Sequence, residues 1–210
     1  YTIVYMFEKH NDAGTESSYV YDNSATGKGA VGSTVQASSA PTLTRTGWEK
    51  DTDKNATSSV EIAADGSSVL FVYYKLTEYT FYFNAGTYDN RDVTATLTGK
   101  GVSGTGTLSY TMTVKLGQSI STSWPANVTG TYRSGGGPGG GQTRSVGFNG
   151  WYNPTANSRY VTKRDIVTED MLPSSGASIT YTARWSNDTS EYTVNYWLQN
   201  ADDDGYTKSD

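Results

Sequence analysis

The chain carries one histidine, His10, and no cysteine, and these counts restrict its chemistry. They exclude a metal cluster built from several histidines and a thiolate nucleophile. His10 precedes Asn11 and Asp12 in a segment typical of a turn, so we expect a solvated imidazole. No Gly-x-Ser-x-Gly occurs, and the glycine run at 135–141 lacks the Lys-Ser/Thr ending of a phosphate loop. The sequence therefore predicts a protein that is not an enzyme and uses no cofactor.

Three acidic segments need a structural interpretation before a functional one. Residues 50–55 and 200–205 place oxygen-bearing side chains at alternate positions, as a calcium loop does, but neither supplies the glutamate expected at position twelve. Lys50 and Lys54 also oppose cation binding in the first run. We interpret both as acidic turns. Glu169 and Asp170 are adjacent carboxylates, and we assign them to the polar face of one short helical turn within 162–172.

Tyrosine and arginine residues are the candidates for contact with a partner. Tyr88, Tyr132, Arg133 and Arg144 flank two polar, glycine-bearing segments. These two residue types are enriched at the centres of binding interfaces. Trp48 and Trp151 each follow a glycine, and we favour a core position over a sugar-stacking role for both.

The charge pattern argues against two classes of partner. The 16 basic and 21 acidic residues are interspersed and give a net charge of −5. Without a basic stripe, the sequence favours neither nucleic acid nor an anionic membrane surface. We find no apolar run of about 18 residues that would cross a membrane. The lack of cysteine fits a Gram-positive cell exterior and a cytosol equally well.

Alternating strands dominate the sequence and recur in a fixed order. A strand at 69–76 is followed almost at once by another at 79–83, and the same succession returns at 179–185 and 191–196. The chain opens on Tyr1-Thr2-Ile3, a third copy of this second strand. Such seams predict tandem modules at 1–77 and 78–187, with the start of a third at 188–210. We therefore expect the chain to be a fragment of a longer array.

The first two modules align over several short motifs. Residues 31–35 match 116–120, and Gly47-Trp48 matches Gly150-Trp151. The spacing is 16 residues from Gly32 to Trp48 in the first module and 34 residues from Gly117 to Trp151 in the second. The difference of 18 equals the length of the glycine-rich insert 130–147. We expect this insert to be a mobile surface loop, since glycine is costly to order. Residues 93–116 read as a long hairpin, and residues 50–58 as a polar loop.

These motifs resemble a known family. Phe148-Asn149-Gly150-Trp151-Tyr152, followed by the strand at 179–185, is similar to the Listeria–Bacteroides repeat, also called the internalin B-repeat, and is akin to mucin-binding-protein repeats. The resemblance covers nearly the whole chain, although the hairpin 93–116 and the insert 130–147 depart from the compact pattern. It implies a mostly β fold, with tandem β-grasp-like modules in an elongated arrangement.

The resemblance also implies a setting and a role. Repeats of this kind belong to cell-wall-anchored proteins of Gram-positive and gut bacteria, so we expect an extracellular protein whose signal and anchor lie outside this segment. The expected function is that of an adhesin module that binds a host glycoprotein, such as mucin or an immunoglobulin, and that contacts neighbouring repeats. The alternative is a purely structural stalk, or spacer, repeat.

Overall fold

The computed structural model of the protein describes residues 1–135, 141–155, 160–161, 163–187, 197–199 and 206–208. These residues are mostly strand. The N-terminal part (residues 1–77) contains β1 Thr2–His10, β2 Ser17–Thr26, β3 Thr34–Gln36, β4 Trp48–Lys50, helix α1 Thr52–Thr57, β5 Ser59–Glu61 and β6 Val69–Leu76. The central part (residues 78–187) contains β7 Tyr79–Asn84, β8 Thr87–Tyr88, β9 Arg91–Leu97, β10 Val102–Gly104, β11 Thr107–Val114, β12 Val128–Arg133, β13 Thr143–Tyr152, β14 Tyr160–Val161 and β15 Ser178–Asn187. Strands β16 Trp197–Gln199 and β17 Tyr206–Lys208 follow, and 3-10 helices span Ala37–Ser39 and Glu169–Met171.

The N-terminal part forms a four-stranded sheet in the order β2-β1-β6-β4. Its first and last strands, β1 and β6, lie side by side and parallel, in register from Thr2 opposite Val69 to Phe7 opposite Tyr74. Strands β2 and β4 pair antiparallel at the two edges. Alternate residues of β1 and β6 point to one face and form its core: Ile3, Tyr5, Phe7, Leu70, Val72 and Tyr74.

The polar segment at 50–58 was predicted as a loop, and this prediction was wrong. It contains α1, which begins after Asp51, whose carboxylate accepts hydrogen bonds from the backbone N–H groups of Asp53 and Lys54. Asn55 is 1% exposed and bonds the backbone of Tyr73 through both ends of its amide, at 2.8 Å each. The buried amide of Asn55 therefore ties the helix to β6. A hydrophobic pattern in the sequence does not predict such a polar tertiary contact.

The central part repeats the four-stranded arrangement and then extends it. Its sheet runs β10-β9-β12-β13-β15-β7-β11, with β7 and β15 parallel. Strands β13, β15, β7 and β11 have the same relation as β4, β6, β1 and β2. Strands β12, β9 and β10 are additional and continue beyond β13. The sheet curls, since its end strands β10 and β11 are joined by only Thr105 and Gly106.

Two predictions about the additional segments need correction. Residues 93–116 do not form a two-stranded hairpin: β9 pairs with β10 and β12, and β11 pairs with β7 on the far side of the sheet. The insert 130–147 is not a loop at its flanks, because β12 and β13 pair from Gly130 opposite Val146 to Arg133 opposite Thr143. Residues 136–140 lie outside the described residues. The two segments, distant in sequence, thus build one extension of the sheet.

The two tryptophans that align in sequence occupy different registers. Trp48 lies opposite Leu76, and Phe148 lies opposite Trp185, the residue that corresponds to Leu76 in the parallel pair. Trp151 instead lies opposite Ala183, one inward-facing position further along. A register shift between Phe148 and Gly150 accounts for the offset. Trp151 is fully buried, as expected of a core tryptophan, whereas Trp48 is half-buried.

Little of the predicted third repeat is described. Strands β16 and β17 form an antiparallel pair, with Leu198 opposite Thr207. The strand predicted at 191–196 and the acidic run at 200–205 lie outside the described residues.

Candidate partner-binding site

A tight turn at the start of the sheet extension positions the first candidate residue. Asp89 and Asn90 have φ values of 49° and 57°, the left-handed pair that a two-residue hairpin requires. Short Asp and Asn side chains tolerate this conformation. Tyr88 is thereby held opposite Arg91, whose Nη1 donates to the Asp89 carboxylate at 2.9 Å. The Asp-Asn pair was the sequence signal for this hairpin, and the sequence interpretation missed it.

The central cross-strand pair brings three of the four candidates together. Tyr132 lies opposite Arg144 on β13 and opposite the buried Val93 on β9. The rings of Tyr88 and Tyr132 are 5.2 Å apart and inclined by 59°. The Tyr88 hydroxyl donates to the side-chain oxygen of Asn187, at the end of β15. Two half-buried tyrosines and an exposed arginine thus share one face at the open end of the curled sheet.

Arg133 follows Tyr132 and therefore points to the other face of β12. It borders a groove of about 490 Å³. The lining is mostly hydroxyl and charged groups: Arg91, Asp92, Thr94, Thr105, Thr131, Tyr132, Arg133 and Thr143. The Nη2 of Arg133 donates to the carbonyl oxygen of Gly141 at 3.3 Å. The groove adds Arg91, Asp92 and the threonines to the predicted residues, and the Thr alternation in β9 was the available signal for them.

Two arginines at this end have no carboxylate partner. In the described part of the protein neither Arg133 nor Arg144 makes a salt bridge, although Arg91 beside them pairs with Asp89 at 2.9 Å. Elsewhere six cations pair with carboxylates: Lys9 and Arg45 with Asp22, Lys75 with Glu49, Lys115 with Glu78, Lys163 with Asp165 and Arg164 with Asp170. The exposed guanidinium of Arg144 is therefore open to bind a carboxylate or sulfate in two-point geometry, whereas that of Arg133 already donates to Gly141.

A second cavity, of about 520 Å³, lies where the N-terminal and central parts meet. The Nδ1 atom of His10 lies 3.0 Å from the carbonyl oxygen of Leu116, within reach to donate a hydrogen bond. His10 ends β1 and is half-buried, so its imidazole is less solvated than the turn-like sequence predicted. Glu78 and Lys115 in the same cavity are 3.5 Å apart and neutralise each other. These contacts describe a junction, and its charged groups are already paired.

The remaining candidates for chemistry have structural roles. The indole N–H groups of Trp48 and Trp151 donate to the carbonyl oxygens of Glu8 and Pro125. The hydrogen bond from Thr168, together with Arg164, outweighs the opposing effect of burial and lowers the pKa of Asp170. Among the described residues no three His, Asp or Glu side chains are grouped as metal ligands would be. None of the helices described there is long and apolar enough to span a membrane.

Comparison of the chain with known protein families, curated proteins and solved structures gives no match. The site rests on its own geometry: two adjoining tyrosine rings inclined by 59° and two arginines that make no salt bridge within the described residues, all on the extension of the second sheet.

Proposed function

We propose that the chain is a non-catalytic, extracellular repeat segment of a Gram-positive-type cell-surface adhesin, and that it binds a host glycoprotein such as mucin or an immunoglobulin. The observation that carries the proposal is Arg144, exposed and without a carboxylate partner in the described chain, on the same face as the adjoining rings of Tyr88 and Tyr132, with Arg133 on the opposite face of β12. The resemblance to the Listeria–Bacteroides and mucin-binding-protein repeats supports the setting.

The repeated backbone supports tandem β-grasp-like modules. In both modules the first and last strands are parallel neighbours. Near the start of the first strand, the N–H of Thr2 or Thr80 donates to the carbonyl oxygen of the residue just before the last strand, Ser68 or Ala177, at 2.9 Å in each case. Parallel neighbours place the start and the end of a module at opposite ends of its sheet. With a connection as short as residues 77–78, such modules would follow one another in an elongated array.

The site supplies the three kinds of contact that a glycoprotein offers. Tyrosine rings provide flat apolar faces with a polar tip. The arginines match acidic groups on sugars or on the polypeptide. The threonine hydroxyls along the groove donate to and accept from sugar hydroxyls. The extension that carries these groups has no counterpart in the N-terminal module, whose main sheet has only the four shared strands.

Capture from mucus and serum on the immobilised full chain tests the proposal. The variant Arg133→Ser/Arg144→Ser should lose the captured glycoprotein. The matched control, Lys28→Ser/Lys163→Ser, removes the same charge from exposed positions elsewhere and should retain it. Equal capture by the two variants, or none by the native chain, would contradict the proposed site.

A structural stalk is the second candidate, and the junction between the modules favours it. The N–H of Ser119 donates to the carbonyl oxygen of Gly14 at 2.8 Å, and His10 reaches Leu116. Hydrogen bonds of this kind hold two modules at a fixed angle, as a spacer requires. Small-angle scattering that gives a rod-like profile, together with no capture from either fluid, would favour the stalk.

A further inference from the structure

The first module contacts the second through the turn between β1 and β2 and through Gly47, both of which meet the turn at 115–118. The turn between β1 and β2 supplies Gly14 and, beside it, His10; the turn at 115–118 supplies Leu116 and Gly117 and leads to Ser119. Two polar contacts join them, Ser119 N–H to Gly14 O at 2.8 Å and His10 Nδ1 to Leu116 O at 3.0 Å. Three of the four groups in these two contacts belong to the backbone, and the fourth is the imidazole of His10.

Glycine is required on the side of the first module. A Cβ on Gly14 would lie 2.4 Å from the backbone nitrogen of Ser119, and Gly14 has a φ of 68°. A Cβ on Gly47 would lie 2.8 Å from a methyl carbon of Leu116. Leu116 is thus seated against a bare stretch of backbone in the preceding module, where any larger side chain would exclude it.

The turn that receives this contact is repeated in the first module. There Gly32 has the φ of Gly117, 79° in each case. The N–H of Gly32 bonds Ile62 at 2.9 Å, as that of Gly117 bonds Val167 at 2.9 Å. The return bonds, Ile62 N–H to Ser33 and Val167 N–H to Gln118, are also both 2.9 Å. Residues 30–34 therefore present the same backbone surface as residues 115–119.

The two equivalent turns differ in what covers them. Residues 115–119 are all half-buried at the junction. Val31, which corresponds to Leu116, is 66% exposed, and nothing lies within 4 Å of a Cβ placed on Gly32. The same turn is thus exposed in the first module and covered in the second. What covers it in the second module is the β1–β2 turn and Gly47 of the module before it, which shows what kind of surface fits the exposed turn.

We propose that the turn at 30–34 is a docking surface for the β1–β2 turn of another module of this kind, placed ahead of the first module as the first is placed ahead of the second. This inference rests on the tandem modules of the proposed function. In the added module, the glycine that corresponds to Gly47 would contact Val31, as Gly47 contacts Leu116. The glycine that corresponds to Gly14 would face the backbone that follows Val31, as Gly14 faces Ser119.

The absence of cysteine gives a direct test, because single thiols can be introduced without background labelling. Val31→Cys, Leu116→Cys and Ala64→Cys are prepared in the full chain and in a fusion that carries a second copy of residues 1–78 ahead of Tyr1. In the full chain the thiols at 31 and 64 should react rapidly with a maleimide, and the thiol at 116 should react about tenfold more slowly, because burial limits access to the thiolate. In the fusion, where the cysteine is placed only in the original module that follows the added copy, the thiol at 31 should slow to the rate at 116, while the exposed control at 64 stays rapid.

A substitution in the leading copy completes the test. Gly14→Val there should return the thiol at 31 to its rapid rate, since the Cβ of valine clashes with the docked backbone. A rapid rate at 31 in the unmodified fusion, or a rapid rate at 116 in the full chain, would overturn the inference. Neither result bears on glycoprotein capture, which uses different residues; loss of capture with slow labelling at 31 would contradict only the binding proposal.

Discussion

The first module (residues 1–77) and the second module (residues 78–187) share a frame of four strands, β2-β1-β6-β4 and β11-β7-β15-β13, but fill its core with different residues. In the first module Phe7 and Tyr74 lie opposite each other on the parallel strands, and their rings stack at 4.7 Å with an angle of 8°. The corresponding positions in the second module hold Ala85 and Ala183, both fully buried. Trp151 lies opposite Ala183 and packs 4.9 Å from Phe83, so the bulk comes from β13 instead of from the parallel pair.

This difference shows which features define the frame. The glycine turns, their hydrogen bonds and the parallel pairing are shared, whereas the aromatic residues exchange places between strands. Cores tolerate such exchange when total volume is conserved. The extension of the second sheet also leaves the shared strands unchanged, since β9 and β12 are added beyond β13. A module can therefore gain additional strands without altering the junction that joins it to its neighbour.

Removing one tryptophan from each module would test where the bulk is concentrated, and we expect the largest effect at Trp151. Trp151→Ala should destabilise the second module by about 3–5 kcal/mol, because the indole is fully buried and donates to Pro125. Trp48→Ala should cost roughly half as much, since that ring is half-buried. Urea unfolding followed by circular dichroism measures both. Equal losses would mean that the two frames are filled alike.

Two glycines with similar backbone geometry separate the junction from the modules themselves. Gly14 and Gly66 have φ values of 68° and 76°, but only Gly14 contacts the next module. Gly66→Ala should cost about 1–2 kcal/mol from backbone strain alone. Gly14→Ala should cost more and should also uncouple the unfolding of the two modules, because its Cβ collides with Ser119. Thermal unfolding of both variants gives the comparison, and identical losses would contradict a tight junction.

The sequence predicted the elements better than their partners. The repeated seams indicated the strands at 69–76 and 179–185 correctly, because alternation is a local property. The pairing of β9 with β12 was missed, since the two strands are 30 residues apart and only the folded sheet aligns them. Helix α1 was missed for a related reason: it spans six residues, and its anchor is the bond of Asn55 to Tyr73 on a distant strand.

The candidate site was predicted by composition and not by geometry. Tyr88, Tyr132 and Arg144 were chosen as residue types common at interfaces, and the structure brings them to one face. That meeting depends on the left-handed turn at Asp89 and Asn90 and on the register of β12 with β13, which places Tyr132 opposite Arg144. Register is a property of the whole sheet, so no short window of sequence contained it.

The residues that follow the equivalent strands β4 and β13 give a pH-dependent contrast between the two modules. Asp51 and Asn153 are both buried, and each accepts a hydrogen bond from the N–H two residues on. Burial opposes ionisation of Asp51, but hydrogen bonds from the N–H of Lys54, from the Tyr19 hydroxyl and from the N–H of Asp53 outweigh it and lower its pKa. A depressed pKa gives stability that is present above the unfolded value, about pH 4, and lost as the pH falls through the folded value.

Asp51→Asn should therefore remove a pH-dependent contribution from the first module only. The variant should be about 1–2 kcal/mol less stable than the native chain at pH 7, because asparagine can still cap the helix but loses the charge-assisted hydrogen bonds that the carboxylate accepts. The deficit should shrink toward zero as the pH falls, because the native carboxylate becomes protonated. Urea unfolding of both proteins at pH 7 and at about pH 3 measures it. A deficit independent of pH would contradict the ionised state of Asp51.

The smallest change in stability is expected at the extension, where the change in binding should be greatest. Arg133 and Arg144 are exposed and make no salt bridge within the described residues, so Arg133→Ser/Arg144→Ser should alter stability by no more than about 0.5 kcal/mol. Arg45→Ser in the first module is the opposite case, since Arg45 pairs with Asp22 at 2.8 Å and lies over the rings of Phe7 and Trp48. Urea unfolding should show a loss for Arg45→Ser alone. If the two extension arginines proved equally costly to remove, they would belong to the frame, and the surface available for a partner would have to be sought elsewhere.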